Sequence, residues 1–131
     1  MRTREFYKEK MNGGNIMEIK RNGANGRRSL SVVYGGLLRT SGITTTDLEA
    51  DITGQTKDVL HVIDNILARN GTDKSRVLTA TITLADMADY GAFNAVWDSW
   101  IVDGCEPARS VTGGALAVPE YRIKISVVAA L

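Results

Sequence analysis

Few side chains in this sequence have the neighbours that covalent or acid–base chemistry requires. His61 is the single histidine and Cys105 the single cysteine, so a zinc or iron site has no ligand set to draw on. Ser41 has no histidine and acid around it in any nucleophile pattern. Asp86 and Asp89 bracket Met87-Ala88, a spacing that suits turn and cap residues better than a working carboxylate pair. The glycines match neither usual phosphate-loop spacing. Nothing beside Cys105 favours its thiolate, and His61 falls at the edge of a helical apolar stripe. What is left is cationic. Arg109 follows Pro107-Ala108 at an expected loop-to-strand junction, Lys124 lies on an alternating segment, and Arg28 closes an Arg27-Arg28 pair. A guanidinium can donate two parallel hydrogen bonds to a carboxylate. Taken alone, however, an arginine at such a junction is most often solvated or ion-paired.

The elements that would position these residues fit one domain of ordinary globular composition. The chain has 131 residues, 44% apolar and 24% charged, enough to bury a core. Sixteen basic residues stand against fifteen acidic ones, which disfavours nucleic acid as a partner because phosphate neutralisation needs a basic excess. The basic bias of the first residues reads as a solvated terminus. A lone cysteine excludes an intramolecular disulfide. No apolar run approaches the roughly 20 residues that span a bilayer, and the first twenty residues lack a signal peptide's apolar segment. These features point to a cytoplasmic protein. Met11 and Met17 precede the first patterned segment, so residues 1–16 are expected to be a leader or disordered N-terminal extension, and 17–131 a single domain.

A first strand is predicted over Met17–Arg21, then a loop at 22–26. Leu30, Val32 and Val33 flank Tyr34-Gly35-Gly36 together with Leu37 and Leu38, which reads as a hairpin turning on glycines. Asp47 or Thr46 offers an N-cap for the longest helix, with Asp47, Glu49 and Asp51 near its positive end. Its apolar stripe runs through Ile52, Val59, Leu60, Ile63, Ile66 and Leu67, and Asn70-Gly71 stops it. Val77–Leu84 alternates, with Leu78, Ala80, Ile82 and Leu84 on one face and Val77 with three threonines on the other. A second helix is predicted from about Ala88 to Ile101, then strands at about Ser110–Ala115 and Arg122–Ala129. Two helices can cover one face of such a sheet, so the class is α+β. The opposite face carries Thr79, Thr81, Thr83, Lys124 and Ser126, a mixture suited to a wet subunit interface.

Several segments, in order, resemble one family. They are Thr40-Ser41-Gly42, Gly54-Gln55-Thr56, Val59–Leu67 with Gly71, Thr83-Leu84-Ala85-Asp86-Met87, Asn94-Ala95-Val96-Trp97, Pro107-Ala108-Arg109-Ser110 and Ile123–Ala130. Together they are similar to the Rid/YjgF family, also called endoribonuclease L-PSP-like, over roughly Arg27 to Ala130. The resemblance implies a chorismate-mutase-like sandwich, a mixed sheet with two helices on one face and a homotrimer around the other. It also implies sites in the clefts between subunits. The best-known members hydrolyse imines and enamines to a keto acid and ammonia, without metal or cofactor.

By that resemblance Arg109 forks onto a substrate carboxylate, Ser41 and Gly42 lie near the substrate, and Asn94 matches the family's helix asparagine. The sequence also departs from the family pattern. Lys124 stands where active deaminases carry a glutamate, Arg28 where a substrate-contacting tyrosine is expected, and Ile43 where a glutamine follows Ser-Gly. A site combining Arg109, Arg28 and Lys124 favours an anion with more than one acidic group, which keeps a 2-aminomuconate-like dicarboxylate within the expected range. Lys124 serves as a proton-handling group in this reading, provided that burial beside the arginines lowers its pKa. The expected function is hydrolytic deamination of a carboxylate-bearing imine or enamine. A non-catalytic carboxylate-binding or sensing trimer is the alternative. Ribonuclease or translation-inhibiting activity is disfavoured by the near-neutral charge and the lack of a stacking platform.

Overall fold

The structure, a computed structural model, describes residues 18–131. The expectations for residues 1–16, and for Met17 as the start of a strand, lie outside the described residues. The strands are β1 (Lys20–Asn22), β2 (Ser31–Tyr34), β3 (Leu37–Thr40), β4 (Val77–Leu84), β5 (Ala108–Gly113) and β6 (Ile123–Ala130). The helices are α1 (Ile52–Arg69), between β3 and β4, and α2 (Tyr90–Trp100), between β4 and β5. The sheet order is β1-β2-β3-β6-β4-β5. β4 and β5 run parallel, joined by the crossover that contains α2, and every other neighbouring pair is antiparallel. This is the expected α+β class with a mixed sheet and two helices. Among the described residues no helix is long and apolar enough to cross a membrane.

The period-2 pattern of β4 and β6 puts one row of side chains on the helices. Ala80 pairs with Val127, Ile82 with Ile125 and Leu84 with Ile123, and all six are buried. Against them α1 packs Val59, Ile63 and Leu67, and α2 packs Phe93, Trp97 and Trp100. The other row pairs Thr79 with Val128, Thr81 with Ser126 and Thr83 with Lys124, on a face that no helix among the described residues covers. The β2–β3 turn needs left-handed backbone at both central residues, Gly35 (φ 62) and Gly36 (φ 77), which only glycine adopts without strain.

Four departures from the sequence expectation bear on the core and on the placement of Arg109. α1 is capped by Asp51, whose carboxylate accepts from Gly54 N, rather than by Asp47 or Thr46. The reason is that Asp47 Oδ1 takes Glu49 N at 3.0 Å, an Asx turn that spends a turn of chain before the helix begins. Second, β4 is irregular at its start. The register shifts between Val77 and Thr79, so Val77 is 4% exposed and Leu78 47%, the reverse of simple alternation. A bulge inserts one residue and exchanges the two faces locally. Third, α2 starts at Tyr90, behind a 3-10 turn over Met87–Asp89. Fourth, β5 starts at Ala108, which puts Arg109 within a strand rather than at its junction with a loop.

Candidate functional site

Arg109 sits on the edge strand β5, paired in register with Ala80 of β4. Paired residues of neighbouring strands share a face. Ala80 is buried under the helices, so Arg109 also points to the helix side. There its Cζ lies 5.5 Å from the Phe93 ring centroid and 5.4 Å from that of Trp97, within reach of a cation–π contact. Its Nη2 donates to Tyr90 Oη at 3.4 Å. Its Nη1 is buried and has no hydrogen-bond partner among the described residues.

Those contacts all come from α2. Tyr90, Phe93 and Trp97 follow the three- and four-residue spacing that puts side chains on one side of a helix. Asn94 falls four residues after Tyr90 and three before Trp97, on that same side. Its Oδ1 is also buried without a hydrogen-bond partner among the described residues. More than nine in ten buried polar groups in proteins are hydrogen-bonded. An unpaired cationic donor and an unpaired acceptor thus lie against one helix face among the described residues.

Lys124 is elsewhere. It pairs with Thr83, on the bare face of the sheet, and is exposed. The segment after β3 runs beside it, because Ile43 bridges Ile125 through hydrogen bonds in both directions. This puts Gly42 directly under the lysine stem: a Cβ on Gly42 would stand 2.7 Å from Lys124 Cδ. Ser41 is held by its backbone N–H to Leu30 O at 2.8 Å. Arg28 is exposed, and its Nη1 donates to Gly23 O at 2.8 Å while its backbone N donates to Asn25 Oδ1. Within one chain, then, Arg109 and Asn94 form one group and Ser41, Gly42 and Lys124 another. Arg28 is committed to its own loop.

The other singled-out residues have structural partners. Asp86 Oδ1 accepts from Ala88 N at 2.9 Å, the expected cap role. Asp89 precedes α2 without capping it and instead pairs with Arg122 at 3.3 Å. His61 is exposed, and Trp97 and Trp100 are core, as expected. Trp97 has a second aspect that its apolar spacing concealed: it is also the wall on which Arg109 rests. Tyr90 drew no notice in the sequence, although its place one turn before Asn94 was the available signal. Among the described residues no group of three or more His, Cys, Asp or Glu is arranged to hold a metal ion.

Residues 19–131 match the family described as Endoribonuclease L-PSP. A RutC family protein of Haemophilus ducreyi is 40% identical over 105 residues, covering 80% of this chain and 90% of the relative. The crystal structure of a YjgF family member from Neisseria meningitidis superposes with a TM-score of 0.84 at 41% identity, covering 87% of this chain and 95% of that one. More distantly, Reactive Intermediate Deaminase A of Arabidopsis thaliana is 32% identical over 108 residues, or 82% of this chain and 55% of that longer protein. A match over nearly all the described residues, with the same sheet and helices, is decisive: the chain belongs to the endoribonuclease L-PSP family, the YjgF/Rid group.

Proposed function

We propose that the protein hydrolyses the C=N bond of a carboxylate-bearing imine or enamine, or of a 2-aminomuconate-like metabolite, in a cleft between copies of the chain. The observation that carries this reading is Arg109 Nη1, a buried guanidinium donor without a partner on a side chain held by two aromatic rings. A carboxylate oxygen is the acceptor of matching charge and geometry. Asn94 Oδ1 would take an N–H from the same substrate. The name of the Arabidopsis relative supports the reaction class.

In this reading Arg109 holds the carboxylate and the C=N carbon faces a water molecule. The water oxygen bonds to that carbon while the nitrogen gains a proton. The carbinolamine then collapses: the proton of its hydroxyl passes to the nitrogen, the C–N bond breaks, and ammonia leaves as the C=O forms. An enamine first takes a proton at carbon and gives one up from nitrogen to become the imine. Lys124 or an ordered water passes these protons. Since Lys124 and Arg109 face opposite sides of one sheet, the reading needs a neighbouring copy to bring Lys124, with Ser41 and Gly42, to the Arg109 edge. A homotrimer is the assembly proposed. The substrate is a small carboxylate, and the reaction is written without metal or cofactor.

A second reading is favoured by one residue. Lys124 occupies the position at which the resemblance calls for a glutamate, and a cation there binds anions better than it orients a nucleophilic water. A carboxylate sensor would use the same cleft without turnover. The ribonuclease implied by the family's name has less support here, given a net charge of +1 and the salt-dependent cation contacts that RNA binding demands.

A semicarbazide-competition assay separates the first two. An amino-acid oxidase generates the imine, and the protein competes with semicarbazide for it. Loss of semicarbazone with wild type, restored by Arg109→Ala, is the expected result. No competition by wild type, combined with thermal stabilisation by pyruvate, would replace the enzyme with the sensor.

A further inference from the structure

Three aromatic side chains converge on Arg109, and only two of them are core. Phe93 and Trp97 are 0% and 5% exposed, whereas Tyr90 is 41% exposed, so burial gives no reason for its ring to sit there. Its hydroxyl is the sole side-chain partner found for the Arg109 guanidinium among the described residues. The two buried rings fix where the guanidinium lies, because their centroids are 5.8 Å apart and both stand about one ring's reach from Cζ. Ring contacts do not fix which way the planar fork points over the rings, since a π face is tolerant of rotation. A hydrogen bond at one end of the fork does fix it.

We infer that Tyr90 is a positioning residue for Arg109: its hydroxyl holds Nη2, so that the unpaired Nη1 and the second N–H of Nη2 stay aligned as a fork for an incoming carboxylate. This rests on the reading of Arg109 as the carboxylate-holding group. Nη2 carries two hydrogens, so the Tyr90 bond leaves one of them for the ligand and does not compete with it. A fork turned in advance loses less freedom when the ligand arrives, and that saving appears as affinity. The role is one of binding, with no part in the chemical step. Tyr90 should therefore set KM or Kd and leave kcat almost unchanged, the signature of an interaction equally present in ground and transition states.

The test uses the full-length protein and pyruvate as the probe, with intrinsic tryptophan fluorescence as the binding signal. Wild type, Tyr90→Phe and Arg109→Ala are compared. The phenylalanine keeps the ring on an exposed position, so the fold is unaffected. Tyr90→Phe is expected to weaken pyruvate binding about three- to tenfold, the worth of one hydrogen bond to a charged group shared between two states. Arg109→Ala is expected to weaken it more. In nitrogen-15 spectra of the arginine side chains, Tyr90→Phe is expected to speed rotation about the Arg109 Nε–Cζ bond, which a merely structural tyrosine would not do. Weak binding in Arg109→Ala with wild-type binding and wild-type rotation in Tyr90→Phe would overturn the Tyr90 role alone. Pyruvate binding unchanged in Arg109→Ala would overturn the reading of Arg109, and the positioning role with it.

Discussion

Arg109 and Lys124 point from opposite faces of the same sheet: Arg109 lies in register with buried Ala80 on the helix side, and Lys124 with Thr83 on the bare side. The sheet therefore lies between the two charges. A site that uses both must take them from two copies of the chain. In a cyclic assembly each such site then draws Arg109 from one copy and Lys124 from the next. Chains carrying Arg109→Ala and chains carrying Lys124→Ala, inactive when assembled separately, should regain about a quarter of the wild-type sites when mixed one to one. Steady-state turnover after co-refolding measures this. A mixture as inactive as its parents would mean that both residues serve one chain's site, whereas an active Lys124→Ala parent would mean that Lys124 serves none.

Gly42 and Lys124 are coupled by contact. A methyl group at Gly42 would meet Lys124 Cδ at 2.7 Å and Cγ at 3.0 Å. The lysine stem is flexible and exposed, so it should move aside at a cost to the fold of less than about 1 kcal/mol. Gly42→Ala should consequently leave the melting temperature within a few degrees of wild type while displacing the ammonium. If Lys124 handles protons, turnover in Gly42→Ala falls to the level of Lys124→Ala, and the two substitutions together are no worse than either one. Turnover rates of the four proteins complete the cycle.

Gln55 connects three segments. It is fully buried; its Nε2 donates to Ala50 O at 3.1 Å and Glu120 O at 2.9 Å, and its Oε1 accepts from Arg122 N at 2.8 Å. These bonds tie the approach to α1 onto the loop before β6, the strand that carries Lys124. Gln55→Leu has similar volume but leaves two carbonyls and an N–H unpaired, and should cost about 2–4 kcal/mol. Urea denaturation would reveal it as a lower midpoint. A loss below about 0.5 kcal/mol would mean that water replaces the amide.

Asp58 makes stability depend on acid. Partial burial pulls its carboxyl pKa upward, but this is outweighed by the Thr46 N–H at 2.6 Å, the Thr45 and Thr46 hydroxyls at 2.9 and 3.0 Å, and nearby His61, and the net shift is downward. A carboxyl with a lowered folded-state pKa contributes stability that is complete above its unfolded-state value, about 3.9, and is lost as pH falls through the folded-state value. Asp58→Asn should therefore destabilise by about 1 kcal/mol near neutral pH. The gap from wild type should close below about pH 4. A gap that stays constant from pH 7 to pH 3 would exclude the charge as its origin.

Much of the fold was legible from local chemistry. The alternation of Ile123, Ile125 and Val127 with Lys124 and Ser126 placed β6 and both of its faces correctly, because side chains on a strand alternate whatever the strand pairs with. The glycine pair after Tyr34 specified its turn for the same kind of reason: the constraint acts on two residues and their own backbone. Local reading failed at Val77 and Leu78, where the register of a partner strand inserts a bulge, and at Asp47, where an Asx turn took the carboxylate that a helix cap would have used.

The candidate site divides along the same line. Residue type by itself narrowed the candidates to cations: one histidine, one cysteine and a guanidinium whose fork matches a carboxylate. Only the tertiary structure decided that Arg109 is a strand residue resting on Phe93 and Trp97, that Tyr90 holds it, and that Lys124 faces the other way. The physical reason is the crossover through α2, which sets β5 parallel to β4 in one register. The face that Arg109 takes follows from its alignment with Ala80, a relationship between residues far apart in the chain that no local pattern encodes.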